Sequence, residues 1–326
     1  MSTETKVARK KFEAKMGVAT REAFGRELVE LGRENKDVVV VDADLSKSTM
    51  TVYFQKEFPE RFFSVGIAEA NMVGVAAGLA MTGKIPFAAS FSVFAVNKGF
   101  EQMRVCGAYG RSNLKVVGTH SGISIGEDGP SQMSIEEIAL ATSLAGFVVI
   151  APADEISCRA LVRAAAEYYG PVFIRTGRPK ALVVYGPDQK FEIGKAIEVA
   201  AGTDVTIIAN GLLVAQALIA ADTLDAEGIS ARVVDLHTAK PIDRDMIAKA
   251  AAETGAIVVA EEHLIDGGIG VKVAQVVAET RPVPMEFVGI HDTYAESGQP
   301  EELLEKYGLV AADVAAAVRK VVSRKK

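Results

Sequence analysis

From Val38 onward, short runs of β-branched and other apolar residues alternate with longer stretches in which apolar residues recur every three or four positions. The runs predict the strands Val38–Val41, Phe62–Val65, Ile85–Phe91, Leu114–Thr119, Phe147–Ile150 and Val172–Arg175. The stretches between them predict helices, among them Glu69–Met81, Val96–Ala108, Ile135–Ala145 and Glu155–Tyr168. Strands that alternate with helices favour a mostly parallel sheet with helices on both faces, which is the α/β class.

This alternation is interrupted between Gly177 and Gly194, where glycine and proline recur at short intervals. A second alternation follows, with predicted strands Val205–Ala209, Ala231–Leu236, Ile257–Ala260 and Met285–Gly289 and predicted helices Leu213–Glu227, Arg244–Glu253 and Val271–Glu279. We therefore expect two doubly wound α/β domains, of which the second is the smaller. The predicted boundaries are a charged, flexible tail at 1–14, a first domain at 15–185, a linker at 186–194 and a second domain at 195–326.

Composition narrows the class of protein. Among 326 residues, 49% are hydrophobic and the net charge is −6, so the chain has enough apolar surface for a core and no overall positive charge. Positive residues concentrate only in the end segments Lys6–Lys15 and Arg324–Lys326, which argues against a nucleic-acid partner. Two cysteines cannot form a disulfide or metal framework, and no apolar run has the roughly 20 residues of a membrane helix. We expect a soluble, cytoplasmic protein without a metal site of its own.

Residues suited to chemistry follow the predicted strands of the first domain. Open α/β sheets bind ligands at the carboxyl ends of their strands, so these residues are expected to share one edge of the sheet. In chain order they are Asp44, Ser48, Glu69, Phe91, Phe94, His120, Glu127, Asp128 and Arg178. Arg21 joins them because a cation near a helix start is unfavourable unless an anion lies nearby.

Each of these residues also has an ordinary structural interpretation. Asp44 and Ser48 could cap a helix, and Glu69 could complement the dipole of the helix that it begins. Phe91 and Phe94 could be core residues, and His120 could be a buried histidine with its hydrogen bonds satisfied. Arg178 could pair with a surface acid. It is their joint placement that indicates a site.

Two glycine patterns are interpreted as features of packing or chain turns rather than as parts of the candidate site. Gly74 and Gly78 recur with alanines on the predicted helix Glu69–Met81, which indicates either close internal packing or a contact between subunits. The sequence Gly267-Gly268-Ile269-Gly270 lacks the third glycine of a dinucleotide fingerprint and is interpreted as a tight turn into a helix.

Separated motifs resemble transketolase, and more narrowly the C-terminal half of a transketolase encoded as a separate subunit. They include Ala19-Thr20-Arg21, Gly66-Ile67-Ala68-Glu69-Ala70-Asn71, Phe91-Ser92-Val93-Phe94, Gly126-Glu127-Asp128-Gly129-Pro130 and Ile174-Arg175-Thr176-Gly177-Arg178. The resemblance extends from Val18 through the second domain. It implies a pyrimidine-binding domain for thiamine diphosphate (TPP) followed by a transketolase C-terminal domain.

The resemblance also implies roles for individual residues. Glu69 would hydrogen-bond the aminopyrimidine ring of TPP and promote its reactive tautomer, and Phe91 and Phe94 would pack on that ring. The phosphate of a sugar-phosphate substrate would be held by Arg21, Ser48, His120 and Arg178. Asp44 would lie near the active centre, Asp128 would contact a substrate hydroxyl, and His120 would also be catalytic. Gln132 would, like Asp44, be among the cofactor-binding residues. It stands where some transketolases have histidine, so proton transfer by histidine is excluded at this position.

The resemblance further implies a missing half. A full-length transketolase begins with a domain that holds the cofactor diphosphate through Mg²⁺ with a Gly-Asp-Gly motif, and that motif does not occur in this sequence. We therefore expect a separate N-terminal subunit that holds Mg²⁺ and shares TPP with this chain in a heterotetramer. The expected reaction is reversible transfer of a two-carbon ketol unit from a ketose phosphate to an aldose phosphate.

Three alternatives remain. The chain could be the beta subunit of the first component of a 2-oxo acid dehydrogenase, a fragment of a 1-deoxyxylulose-5-phosphate synthase, or a non-catalytic assembly subunit. A decarboxylase acting on unphosphorylated 2-oxo acids would have no need of the residues that match a phosphate site. The identity of the sugar phosphate stays open.

Overall fold

A computed structural model describes residues 11–325 of the chain. The strands β1 to β14 of this part are Met16–Ala19, Val38–Asp42, Phe62–Ser64, Ile85–Phe91, Lys115–Thr119, Val148–Ile150, Val172–Arg175, Lys180–Leu182, Ile197–Ala200, Val205–Ala209, Ala231–Asp235, Thr238–Lys240, Ile257–Leu264 and Met285–Ile290. The helices α1 to α13 are Thr20–Glu34, Ser46–Thr49, Val52–Glu57, Glu69–Met81, Ser92–Asn97, Phe100–Gln102, Glu137–Ser143, Glu155–Glu167, Leu213–Ala226, Arg244–Thr254, Ile269–Thr280, Pro300–Lys306 and Ala311–Ser323. A π-helical segment covers Met103–Tyr109, and short 3₁₀ turns cover Pro59–Arg61 and Ile123–Ile125.

The expected α/β class is confirmed, with a mostly parallel sheet in the first domain. Seven strands lie in the order β12-β6-β7-β5-β4-β2-β3, and only β12 runs antiparallel to its neighbour. The central strand β5 is buried along its whole length, as expected for a strand with helices on both faces. Because six strands are parallel, their carboxyl ends share one edge, and the polar loops of the first domain meet there.

The second domain has a smaller sheet in the order β14-β13-β10-β11-β9. Its strands are parallel except β9, which is antiparallel to β11. All ten strands predicted from the hydrophobic runs are present, but β13 continues four residues past the predicted end at Ala260, to Leu264. That extension carries the buried carboxylates Glu261 and Glu262.

One predicted helix is wrong. The stretch expected as a continuous helix over Val96–Ala108 contains α5, a break at Gly99, the short α6 and the π-helical segment. A Cβ atom at Gly99 would lie 2.9 Å from the Val73 side chain, so the chain turns where α4 packs closely against it. The predicted helix over Ile135–Ala145 is shorter, because α7 covers only Glu137–Ser143.

The hydrophobic core crosses the boundary between the two sheets. One cluster joins first-domain residues such as Val41 and Phe173 to Ile208 and Val259 of the second sheet. Another joins Phe91, Ile123 and Ile125 of the first domain to second-domain side chains, Val205 and Val258 among them. Helix α1 packs with α8 on the other face of the first sheet. The functional edge of the first sheet is therefore supported from the second domain.

Parts of the predicted tail pack against the second domain. The Phe12 N–H donates to Asp222 Oδ2 at 2.8 Å, and the Phe12 ring packs on the core. Residues 1–10 of that tail lie outside the described residues. Of the helices in residues 11–325, none is long and apolar enough to cross a membrane.

The glycines of α4 do not serve internal packing. A Cβ atom added at Gly74 or Gly78 would meet nothing within 4 Å. Met81, on the same helix, and Ile67, just before it, are also exposed. The interpretation as close packing inside the chain is therefore wrong at these two positions.

Candidate active site

The candidate site lies at the carboxyl edge of the first sheet. Strand β2 leads into Asp44, β4 ends at Phe91, and β5 leads into His120. Glu69 begins α4 after β3, and Arg178 follows β7 by three residues. Asp44 and His120 both adopt positive φ, 65° and 59°, which is uncommon for residues other than glycine. Such backbone strain is concentrated at functional sites more often than elsewhere.

His120 is held between Arg21 and Thr119. The Arg21 Nη1 atom lies 2.9 Å from His120 Nε2, and Thr119 Oγ1 lies 2.8 Å from His120 Nδ1. Arginine can only donate, so Nε2 accepts and the ring proton sits on Nδ1, where it is donated to Thr119. Burial, together with Arg21 and Arg178, lowers the pKa of His120 to about 3. The imidazole is therefore neutral near pH 7, and its hydrogen bond holds the Arg21 guanidinium in place.

Arg21 and Arg178 give this edge its positive charge. Arg21 also donates to the Ser48 carbonyl at 2.7 Å, and burial together with Arg178 lowers its pKa from the usual value. Arg178 donates to the Ile125 carbonyl and to Glu127 Oε2, the latter at 2.8 Å. Its Nη1 atom lies 3.9 Å from Asp128 Oδ1. Two guanidiniums beside a neutral imidazole form an arrangement suited to binding an anion such as a phosphate.

An aromatic surface adjoins this pair of arginines. The Phe91 ring stacks on His120 with centroids 3.9 Å apart and on Phe94 with centroids 5.8 Å apart. Phe91 is buried, whereas Phe94 is only partly covered. Phe94 is therefore the ring of this stack that can receive a flat ligand.

Glu69 lies beside the same aromatic surface. Its side chain is 3% exposed, and Oε2 lies 3.3 Å from Lys98 Nζ. That ammonium group also lies over the Phe94 ring, 4.5 Å from its centroid. Lys98 is a residue of this surface that was not predicted from the sequence, although its position four residues after Phe94 was a usable signal, since residues four apart are neighbours on a helix.

The other residues predicted for the site are less closely associated with the two arginines and the aromatic rings. Asp44 is exposed, and Ser48 meets Arg21 through its backbone carbonyl rather than its hydroxyl. Gln132 has local contacts, because its Oε1 accepts from Ser131 Oγ at 2.6 Å and its N–H donates to the Gly129 carbonyl. Within residues 11–325, no three His, Cys, Asp or Glu side chains are grouped so that they could hold a metal ion.

Family models match both domains. The model described as "Transketolase, pyrimidine binding domain" matches residues 16–182, and "Transketolase, C-terminal domain" matches residues 194–314. This chain belongs to the transketolase family. The resemblance inferred from the motifs is thereby confirmed, and the edge that carries Glu69 and Phe94 lies within the match to the pyrimidine-binding domain.

Relatives of this transketolase-family chain include separate half-length proteins. It is 45% identical to a transketolase C-terminal section of Methanocaldococcus jannaschii, over 90% of this chain and 93% of that protein. It is 38% identical to the 6-deoxy-6-sulfo-D-fructose transketolase subunit SqwH of Clostridium sp., over 94% and 95% of the two chains. A solved split-gene transketolase, described as an inactive beta4 tetramer, is 51% identical, with a TM-score of 0.89 over 95% of this chain and 100% of that one.

The chain spans about half the length of single-chain transketolases. It is 37% identical to the Homo sapiens transketolase over 94% of this chain but only 49% of the human protein. It thus corresponds to about half of that protein, whereas it matches 93% of the Methanocaldococcus jannaschii section.

The residues of the site fit the aminopyrimidine ring of TPP, the cofactor implied by the family. A partly covered aromatic face and a buried carboxyl group lie side by side, joined by the Lys98 ammonium group that contacts both. A planar ring needs stacking area and a partner for a ring nitrogen, and Phe94 and Glu69 offer these two features.

Proposed function

We propose that this chain is the C-terminal subunit of a two-chain transketolase that transfers a two-carbon ketol unit reversibly from a ketose phosphate to an aldose phosphate. The proposal includes a separate N-terminal subunit that holds the cofactor diphosphate through Mg²⁺, and a heterotetramer with active sites between the subunits. The observation that carries it is one sheet edge on which the buried Glu69 adjoins the partly covered Phe94, with Arg21, His120 and Arg178 next to them.

When bound, TPP supplies the carbanion chemistry of ketol transfer. The role of Glu69 is to hold or move a proton at a nitrogen of the aminopyrimidine ring, which a carboxyl group shielded from water can do. Phe94, supported by the buried Phe91, orients the ring by stacking, worth about 1 kcal/mol beyond burial. Lys98 Nζ lies 3.3 Å from Glu69 Oε2 and helps to fix the orientation of the carboxyl group.

The substrate phosphate is the proposed ligand of Arg21 and Arg178. Arginine side chains offer charged, forked donors that suit a phosphate. The neutral His120 keeps Arg21 oriented. The proposed roles of Asp128, Gln132, Asp44 and Ser48 follow the family resemblance. Asp128 would contact a substrate hydroxyl, and the other three would lie around the cofactor and the phosphate.

A sulfonated sugar is a second candidate substrate. The relative from Clostridium sp. carries 6-deoxy-6-sulfo-D-fructose in its name and matches this chain over nearly its whole length. A sulfonate is an anion with three oxygen acceptors, so paired arginines suit it as well as a phosphate. A screen of donors should therefore include matched phosphorylated and sulfonated ketoses, and the larger kcat/KM identifies the substrate class.

The experiment that tests the proposal is reconstitution with the N-terminal transketolase subunit from the same source. With TPP and Mg²⁺, the mixture is expected to transfer ketol units, whereas this chain alone is expected to show no turnover. Turnover by this chain without any partner would contradict the two-chain proposal. Decarboxylation of an unphosphorylated 2-oxo acid without ketol transfer would instead favour the 2-oxo acid dehydrogenase alternative.

In the same assay, Glu69→Ala is expected to lower turnover by about 10²-fold or more, because it removes the carboxyl group that holds or moves the proton at the ring nitrogen. The complex is expected to assemble as before. Glu101→Ala is the matched control, since Glu101 is an exposed first-domain glutamate that pairs only loosely with Arg104, at 3.4 Å. Assembly is measured by size-exclusion chromatography. Unchanged turnover in the Glu69 variant would remove Glu69 from the site.

A further inference from the structure

A buried carboxylate of the second domain supports the loop between His120 and Asp128. Glu262 lies in β13 and is 2% exposed. Its Oε1 accepts the backbone N–H of Ser124 at 2.7 Å, in the middle of that first-domain loop. The second domain thus contacts the segment that joins His120 to Asp128.

The loop is shaped around this carboxylate. Gly122 has φ +81°, and a Cβ atom at this position would overlap the carboxyl group of Glu262. Only glycine therefore fits both the backbone conformation and the space. The Gly122 N–H donates to the Ser134 carbonyl at 2.7 Å, which closes the base of the loop.

The same carboxylate is linked to the strand that leads to Arg178. Arg175 ends β7, and its Nη2 donates to the Glu262 carbonyl at 2.8 Å and lies 3.7 Å from Glu262 Oε2. Its Nε donates to Glu137 Oε1 at 2.5 Å. Arg175 is 6% exposed and Glu137 is fully buried. Both sides of the anion site, the loop after His120 and the turn before Arg178, therefore converge on Glu262.

Stability alone does not account for a carboxylate at this position. Burial of an ion pair costs desolvation that its attraction seldom exceeds, and apolar packing of the same volume is often as stable. What the carboxylate adds is geometry, because its Oε1 accepts the Ser124 N–H while the charge on the same group faces the Arg175 guanidinium, with Oε2 3.7 Å from Arg175 Nη2.

We propose that Glu262 is a positioning residue, through which the second domain sets the distance between the loop that carries Asp128 and the turn that carries Arg178, and so the affinity for the substrate phosphate. This inference rests on the proposed function. It gives the second domain an indirect part in substrate binding, through the loop and the turn that it supports.

The test compares two isosteric variants in the reconstituted complex, Glu262→Gln and Glu261→Gln. Glutamine at 262 has nearly the same shape but no charge, so the attraction between the carboxylate and the Arg175 guanidinium 3.7 Å away is lost, whereas the bond from Arg175 to the backbone carbonyl of residue 262 remains. Glu261 is the matched control, because it is equally buried, next to Glu262 in the strand, and accepts two N–H groups, from Ile269 at 2.7 Å and Gly270 at 2.9 Å. Those partners belong to α11 rather than to the loop.

We expect E262Q to raise the KM for a phosphorylated ketose donor by about tenfold and to change the KM for a donor without phosphate by less than about twofold. E261Q is expected to change neither KM. A KM for the phosphorylated donor that is unchanged in E262Q, an equal rise for both donors, or the same shift in E261Q would overturn the proposal. If E262Q does not fold, Glu262→Asp carries the test, with a smaller rise expected because aspartate keeps the negative charge that faces Arg175.

Hydrogen exchange in the full chain supplies a readout that needs no activity. The Ser124 amide is expected to exchange several-fold faster in E262Q than in the native chain or E261Q, because a neutral amide oxygen is a weaker acceptor for the Ser124 N–H than a carboxylate oxygen. Unchanged exchange would overturn the positioning role. A native complex that transfers no ketol unit would contradict the proposed function. The exchange result would still show whether Glu262 supports the loop between His120 and Asp128.

Discussion

At the scale of single residues, the centre of the anion site depends on the protonation state of His120. Its Nε2 accepts from Arg21, so a proton on that nitrogen would place two donors against each other. Burial and the two arginines lower its pKa to about 3, whereas in the unfolded chain it is near the ordinary value of about 6.5. Below pH 6.5 the unfolded chain therefore takes up a proton that the folded chain does not.

This difference predicts a stability that falls as the pH falls. Between pH 7.5 and 5.5, His120 is expected to lower the free energy of unfolding by about 1 kcal/mol. His120→Asn removes the titration, and asparagine tolerates the positive φ at this position. Denaturant unfolding of both proteins at the two pH values measures the effect. Equal losses in the variant and the native chain would show that His120 is protonated in the folded state.

The sequence predicted which residues gather, but not how they bond. Arg21, His120 and Arg178 could be expected at one edge because parallel strands end together. The tautomer of His120, the bond from Arg21 to the Ser48 carbonyl and the position of Lys98 over Phe94 depend on side-chain rotamers. No periodic pattern encodes those rotamers.

At the scale of elements, Arg21 reaches Ser48 because α1 packs tightly against the end of α2. A Cβ atom at Gly25, one turn after Arg21, would lie 2.5 Å from the Met50 carbonyl oxygen. Glycine therefore sets the distance between these helices. By contrast, Gly74 in α4 faces open space, where a methyl group meets no atom within 4 Å.

Alanine is expected to have opposite effects at these two glycines. Gly25→Ala should lower the free energy of unfolding by about 1–2 kcal/mol, because crowding exceeds the gain in helix propensity. Gly74→Ala should raise it by up to about 1 kcal/mol in the chain alone. Thermal or denaturant unfolding measures both. Destabilisation by the Gly74 variant would mean that α4 is packed more closely than its exposed face indicates.

Elements with a clear apolar pattern were predictable, and short ones without such a pattern were not. The largely apolar runs of β2 and β10 could be located to within a residue. The three-residue strands β8 and β12 have no such pattern, because pairing with a neighbour rather than local sequence makes them strands. Likewise, the end of β13 was missed because the carboxylates Glu261 and Glu262 are buried there only through tertiary contacts.

At the scale of the whole molecule, the segment around Tyr185 that connects the two sheets is held in place by hydrogen bonds and ring packing. The Tyr185 ring packs edge-on against Phe191, and its hydroxyl donates to Asp235 Oδ2 at 2.6 Å. The backbone N–H groups of Val184 and Tyr185 donate to Asp154 Oδ2 at 2.8 and 3.0 Å. Burial raises the pKa of Asp235 to about 8, and the Tyr185 hydrogen bond opposes that rise.

Removal of this hydroxyl tests the anchor. Tyr185→Phe is expected to lower the free energy of unfolding by about 1–3 kcal/mol, because Asp235 loses its donor in a buried setting. Tyr169→Phe is the control, since that ring is 78% exposed and its hydroxyl can exchange partners with water. Chemical denaturation at constant pH provides the comparison. Equal stability of the two variants would show that water replaces the lost bond.

The strand β12 belongs to the second half of the chain but completes the sheet of the first half, where it pairs with β6. A protein divided after residue 186 would leave β6 with a row of unpaired N–H and C=O groups on its outer side. Such an exposed strand edge can pair with strands of other molecules, and the fragment would then aggregate. The glycine- and proline-rich stretch that looks like the natural place to dissect this chain is thus a poor one. A fragment intended to work alone would have to carry Thr238–Lys240 with it, grafted as an added final strand.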